Sequence, residues 1–138
     1  MRAISLWQPW ASAIALELKK VETRHWSTPY RGPLVIHASK RWDRDQRDFA
    51  ADNHLRDLPF GALICVVGLV DVRKSEEMIA YVSDLEKRYG NFGPNRYGWC
   101  LSAPTVFAKP IPFKGHQGFF DVPDELLPAM NEEKRNGN

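Results

Sequence analysis

Apolar residues recur along the chain with the spacing of short β-strands. The clearest pattern is the apolar run at 61–72, in which Gly68 indicates a bulge or a bend. The β-branched and apolar residues at 34–38 predict a second buried strand. Further strands are predicted at 4–6, 21–26, 97–101 and 105–108, with Phe113, Phe119, Phe120 and Val122 closing the sheet.

Helical spacing predicts three helices between these strands. Pro9 suits the first position of a helix that runs to about Leu18. A mostly polar helix is predicted at 41–54, and an amphipathic helix at 76–89 has Ser75 as its expected N-cap. The expected inward positions of this third helix are Met78, Ile79, Val82 and Leu85.

These elements together predict the fold class. Several short strands, two or three helices and glycines at bends are typical of an α+β protein, here a small mixed β-barrel with the helices packed on it. A chain of 138 residues is long enough for one hydrophobic core. We therefore expect a single domain at 1–130, followed by a polar, disordered tail at 131–138.

The composition indicates a folded protein without a membrane segment. Hydrophobic residues make up 43% of the chain, yet the longest apolar run is far too short to cross a bilayer. Trp7, Gln8 and Pro9 interrupt any signal-peptide core. Because Cys65 and Cys100 show no disulfide or zinc spacing, we expect free thiols in a reducing compartment and hence a cytoplasmic protein, as a monomer or weak dimer.

Charge is distributed unevenly along the chain. Residues 1–47 carry nine Lys or Arg against four acids, whereas the remainder carries ten against thirteen. The basic first part favours an anionic or electron-rich partner such as a nucleotide or RNA. The four histidines lack metal-ligand spacing, so neither a metal nor a cofactor is expected.

A cluster of polar residues after the first predicted helix is the strongest candidate for chemistry. It consists of Lys19, Lys20, Glu22, Thr23 and Arg24. Amine, carboxylate, hydroxyl and guanidinium groups that lie close together can bind a planar polar ligand or transfer protons. Regular strand alternation puts Lys20 with Glu22 and Arg24, and Lys19 with Thr23, so only a bend could unite Lys19 with Glu22.

Six sequence stretches in their order and spacing resemble the ASCH domain family, a branch of the PUA-like superfamily. Within it, the chain is similar to the subgroup typified by the endothelial-overexpressed lipopolysaccharide-associated factor. The stretches are SLWQPWA at 5–11, KKVETR at 19–24, VIHASK at 35–40, GLVDV at 68–72, YGWCL at 97–101 and PIPFKG at 110–115.

The resemblance implies particular site residues. The family signature, approximately G-x-K-x-x-E-x-R, maps onto Lys19, Glu22 and Arg24, with Glu17 in place of a glycine that would end the helix in a left-handed conformation. The resemblance further implies removal of acyl groups from N4-acylated cytidine by lysine, threonine and glutamate. Those catalytic types are Lys19 or Lys20, Thr23 and Glu22, with a further acid at Asp71, Glu76 or Glu77.

The expected partner is a small nucleoside, and RNA is a possible second partner. Trp7, Trp26 and Tyr97 offer flat faces for a base, and Arg24 offers a cation. His37 and Ser39, at the end of a predicted strand, complete the expected binding residues. Two alternatives stay open: a module that binds RNA without turnover, and a ribonuclease that uses His37 and Lys40.

Overall fold

A computed structural model describes residues 1–127, so the expected domain end at 130 and the predicted tail at 131–138 lie outside the described residues. Seven strands form one sheet: β1 (Arg2–Leu6), β2 (Val21–Arg24), β3 (Gly32–Ala38), β4 (Ala62–Lys74), β5 (Tyr97–Leu101), β6 (Thr105–Pro112) and β7 (Phe119–Asp121). The described residues also form four short α-helices, α1 (Trp10–Ala15), α2 (Arg44–Asp52), α3 (Ser75–Met78) and α4 (Asp84–Tyr89), and one 3₁₀ helix (Asp124–Leu126). The α+β class predicted from the sequence is confirmed.

The long strand β4 organises the sheet. It pairs with β3 along one edge, and on the other edge it pairs first with β6 and then with β5. β1 runs parallel to β3, which makes the sheet mixed, and β2 and β7 lie at the two ends of the strand order β2-β5-β4-β3-β1-β7. The expected irregularity lies at Val70, because the register with β5 shifts between Leu69 and Asp71, two residues beyond Gly68.

Alternation along the strands divides the core between the two faces of the sheet. In β3, Leu34 and Ile36 join the cluster that packs under α1, whereas Val35 joins a second cluster on the opposite face. Trp99 of β5 is fully buried in the first cluster. This cluster supports the end of the sheet at which α1 leads into β2.

All three predicted helices are shorter than expected. α1 ends at Ala15, and α2 begins only after Asp43, which forms a capping box with Gln46. The helix predicted at 76–89 is two helices, with Ser75 as the first residue of α3 and not its N-cap. Met78 is buried as expected and Val82 is half-buried, whereas Ile79 and Leu85 are 43% and 44% exposed, so their inward assignment was wrong. Within residues 1–127, no helix has the length and apolar character needed to span a membrane.

Candidate functional site

The turn after α1 directs the chain back toward the helix and thereby positions Lys19. The Glu17 N–H donates to the Ile14 carbonyl at 3.0 Å, and the Leu18 N–H donates to the Ala13 carbonyl at 2.9 Å, which is the Schellman pattern of a helix end. Glu17 itself has a φ of +61°. The acidic residue therefore takes the left-handed conformation that glycine adopts most easily, and the turn is preserved.

Lys19 is buried, with only 2% of its surface exposed. Its Nζ donates to the Tyr89 carbonyl oxygen at 3.1 Å and lies 3.5 Å from Glu22 Oε1. A buried charge needs such partners, since desolvation of an isolated ammonium is very costly. The turn thus supplies the bend that brings Lys19 to Glu22, although strict strand alternation would separate them.

Glu22 lies between two cations. It shares a face of β2 with Arg24, whose Nη1 is 3.7 Å from Glu22 Oε2. The Arg24 Nε is buried and has no hydrogen-bond partner among the described residues. Buried donors are normally paired, so the Arg24 Nε is an unsatisfied donor in this conformation of the site.

Thr23 is buried beside these charges, but its hydroxyl already has a partner. Thr23 Oγ1 accepts the Asn91 N–H at 3.0 Å, and the Thr23 carbonyl accepts a hydrogen bond from Arg96 Nη2 at 3.0 Å. The hydroxyl proton is still available for donation. Thr23 therefore anchors the chain after α4 and can also orient a ligand or a water molecule.

We define the small cleft as the cavity of about 520 Å³ that contains Lys19, Glu22, Thr23 and Arg24. Its aromatic wall joins three elements: Trp10 and Phe49 have ring centroids 5.2 Å apart, and Phe49 and Tyr89 have centroids 5.3 Å apart. Among the described residues that line this cleft, Glu22 is the sole carboxylate. The cleft therefore combines flat apolar surfaces with one base-like group held between cations.

We define the large cleft as a second cavity of about 1200 Å³, which adjoins the first along Ser5, Trp7 and Arg24. Trp26 and Ser39 lie on its wall, together with the cations Lys40 and Lys114 and the side chains of His25 and His116. At the junction, Trp7 is 49% exposed, and the Arg41 guanidinium lies 3.9 Å from its ring centroid.

Three expected site residues line neither cleft: Lys20, His37 and Tyr97. The Lys20 side chain is exposed, and its backbone N–H donates to Glu86 Oε1 at 2.5 Å. Tyr97 lies next to Arg24 in the β2–β5 register and packs against the core cluster. The structure thus separates Lys19, which lines the small cleft, from Lys20, which does not.

His37 is buried between two partners. Its Nδ1 lies 2.9 Å from Ser5 Oγ and its Nε2 lies 2.7 Å from the Phe113 carbonyl oxygen, so Nε2 carries the proton and Nδ1 accepts from serine. Burial lowers the pKa of His37 and keeps the ring neutral. A Cβ on Gly115 would lie 2.6 Å from the ring, which explains the glycine there.

The three acids considered for a further catalytic role also lie outside both clefts. Asp71 Oδ2 accepts from Arg73 at 2.7 Å, Glu76 accepts the Asn95 N–H at 2.6 Å, and Glu77 is exposed. Sequence reasoning missed the buried Glu86, which holds the backbone of Lys20 from α4. A glutamate inside a polar helix gives no sequence signal for such a role.

Sequence reasoning also missed several residues that line the small cleft: Trp10, Phe49, Arg88, Tyr89, Asn91 and Arg96. The apolar spacing that assigned Trp10 and Phe49 to the core is correct, but it cannot show that one side of a ring faces a cavity. Among residues 1–127, no group of three or more His, Cys, Asp or Glu side chains could hold a metal ion.

The mixed seven-stranded sheet with its few short helices is a PUA-like fold. The ASCH domain model matches residues 4–103, and the chain belongs to the ASCH domain family. Structural similarity agrees: the ASCH protein of Zymomonas mobilis aligns with a TM-score of 0.60 at 17% identity, covering 95% of this chain and 93% of that one. The structure of a point mutant of that protein gives the same TM-score and identity, with 95% and 96% covered.

Two curated relatives share sequence over most of this chain. Activating signal cointegrator 1 is 30% identical in Homo sapiens and 27% identical in Mus musculus, each over 134 residues that cover 89% of this chain. The chain spans only 22% of the length of these relatives. The similarity therefore concerns only one part of these relatives.

Proposed function

We propose that this protein is an amidohydrolase that removes the acyl group from N4-acylated cytidine. The observation that carries the proposal is the array of buried Lys19 with partly buried Glu22 and Arg24 on the wall of an aromatic-lined cleft. An amine and a carboxylate paired in a cleft can transfer protons to and from a bound ligand. The resemblance to ASCH amidohydrolases supplies the substrate class.

The array supports a balanced hydrolysis. In the ion pair Lys19 carries the proton and Glu22 carries the lone pair, so Glu22 takes a proton from the attacking water. The new C–O bond sends the carbonyl electrons to oxygen, where the Lys19 ammonium and the Arg24 guanidinium stabilise the negative charge. Collapse breaks the C–N4 bond, the proton held by Glu22 moves to N4, and the products are a carboxylic acid and cytidine.

The walls of the small cleft suit the base. Trp10, Phe49 and Tyr89 supply adjoining aromatic rings, and Trp7 is half exposed at the mouth. Stacking of a base on one aromatic side chain contributes roughly 1 to 3 kcal/mol. Thr23 can orient the acyl carbonyl or the water through its remaining proton.

RNA binding without turnover is the second candidate. The large cleft favours it, because Arg24, Lys40 and Lys114 line a cleft of about 1200 Å³ that a nucleoside alone would not fill. A ribonuclease centred on His37 receives less support, since both ring nitrogens of His37 already have protein partners.

Turnover of N4-acetylcytidine tests the proposal directly. The ultraviolet absorbance should change as cytidine forms. N6-acetyladenosine carries the same acyl group on another base and should react at least about 100-fold more slowly. Absence of turnover together with salt-dependent binding of single-stranded RNA would favour the second candidate. Cleavage of that RNA would instead favour a ribonuclease.

A further inference from the structure

We propose that the large cleft binds a phosphate group of the substrate, so that the protein acts on a phosphorylated or RNA-linked cytidine in preference to the free nucleoside. The inference rests on the proposed function, which places the base in the small cleft. It assigns the large cleft to the remainder of a nucleotide.

The lining of the large cleft carries positive charge without neighbouring carboxylates among the described residues. Lys40 and Lys114 line the large cleft, and neither lies within 4.0 Å of an acidic group in residues 1–127. Over the same residues, no Asp or Glu lines this cleft. A groove with cations and without neutralising carboxylates attracts an anion and raises its local concentration.

Arg24 lies at the junction of the two clefts. This side chain lines both clefts, contacts Glu22 through Nη1, and has a buried Nε without a partner among the described residues. Guanidinium groups bind phosphate oxygens through several N–H donors at once. Because 23% of the Arg24 side chain remains exposed, a phosphate at the junction can reach this side chain.

The large cleft is larger than a nucleoside requires and is continuous with the small cleft. The large cleft holds about 1200 Å³, whereas pockets for small molecules usually hold about 300 to 1,000 Å³. The two clefts meet at Ser5, Trp7 and Arg24, so a ligand with its base in the small cleft would extend into the large one. Free N4-acetylcytidine would leave most of the large cleft unfilled.

The loop at 113–118 lines the large cleft and is anchored to the sheet through His37. His37 donates to the Phe113 carbonyl at 2.7 Å, and Gly115 packs directly against the His37 ring. His37 is thus a positioning residue for this loop, which presents Lys114 and His116 to the cleft. A loop held in this way loses little entropy when an anion binds.

Equilibrium binding tests the inference without any need for turnover. Titration calorimetry with cytidine and with its 5′- and 3′-monophosphates should show that the wild-type protein binds one monophosphate at least about tenfold more tightly than cytidine, because the phosphate adds charge-assisted contacts. The variant with Lys40→Gln and Lys114→Gln should lose this preference and keep its affinity for cytidine. Lys109→Gln removes an exposed lysine outside both clefts and should keep the preference.

A third probe, a trinucleotide of three cytidines, distinguishes an RNA substrate from a free nucleotide. Tighter binding of the trinucleotide than of either monophosphate indicates an RNA substrate, whereas equal binding indicates a free nucleotide, and both results support the phosphate site. Equal affinity for cytidine and both monophosphates, a preference that persists without Lys40 and Lys114, or no binding of any probe would overturn the inference. A phosphate preference in a protein that does not hydrolyse N4-acetylcytidine would contradict the proposed function alone.

Discussion

At the scale of single residues, the burial of Lys19 is the most costly feature of the site. Its ammonium is removed from water and compensated by one carboxylate and one carbonyl oxygen. Removal of one partner of a buried ion pair is destabilising because it leaves the other charge uncompensated, but Glu22 retains Arg24 as a second cation. Lys19→Met is therefore the substitution that removes the amine and leaves the volume of the side chain nearly unchanged.

Glu17 carries backbone strain that glycine would relieve. Its φ of +61° is unfavourable for a residue with a Cβ, so Glu17→Gly should raise the free energy of unfolding by about 1 kcal/mol. Leu16 is exposed and has a φ of −87°, so Leu16→Gly, the matched control, should lower it. Urea unfolding measures both values, and a loss of stability in Glu17→Gly would contradict the strain argument.

His37 should make stability depend on pH. Because its pKa is lowered in the folded state, the unfolded chain binds the proton first as the pH falls below about 6.5. The free energy of unfolding should therefore be fully retained above that pH and should decline toward pH 5, with a limiting slope of about 1.4 kcal/mol per pH unit. Urea unfolding of His37→Gln should show a flatter profile, while His54→Asn, an exposed control, should follow the wild type. Identical slopes in all three proteins would refute the assignment.

At the scale of elements, α4 connects helix capping to the site. Ser83 Oγ accepts the Glu86 N–H at 3.1 Å, and the same helix supplies the Tyr89 carbonyl that holds Lys19. Ser83→Ala should lower the free energy of unfolding by about 1 kcal/mol and should also reduce kcat on N4-acetylcytidine, because the end of the helix loosens. Ser83→Asn retains a capping side chain and should restore both quantities, which thermal unfolding and the absorbance assay measure. Equal kcat in the two variants would mean that α4 does not position Lys19.

The break between α3 and α4 could have been recognised in the sequence. Ser83 and Glu86 have the S-x-x-E spacing of a capping box, which marks the start of a new helix. The apolar spacing of Met78, Val82 and Leu85 continues across the break and obscured it. The early end of α1, in contrast, gives no sequence signal, because Glu17 is not a residue that normally terminates a helix.

At the scale of the whole molecule, the sequence predicts the sheet better than it predicts the cavities. The apolar runs of β3, β4 and β5 identify strands because both faces of these strands are largely covered. Cleft walls depend on contacts between distant elements: Phe49 of α2 meets Tyr89 of α4, and Arg96 meets Thr23. Hydrophobic patterns within one element do not predict contacts between elements that are distant in the sequence. The corner at Lys19, Glu22 and Arg24 was accessible only because its residues are close in sequence.

The division into two clefts gives the molecule a consistent chemical layout. Glu22 lies in the small cleft between cations, and the large cleft has cations without carboxylates among the described residues. This layout fits a ligand with a neutral reacting base and an anionic extension. It also separates Lys19, which is buried, from Lys20, which is exposed, although the two residues are adjacent in the chain.

The turnover number of Lys19→Met compared with that of Lys20→Met on N4-acetylcytidine tests the central claim most directly. Both variants lose one amine and one positive charge, but only Lys19 lines the small cleft. The account predicts that Lys19→Met reduces kcat by at least about 100-fold while Lys20→Met retains kcat within about twofold. Equal activity of the two variants, or a loss confined to Lys20→Met, would contradict the assignment of this cleft as the active site.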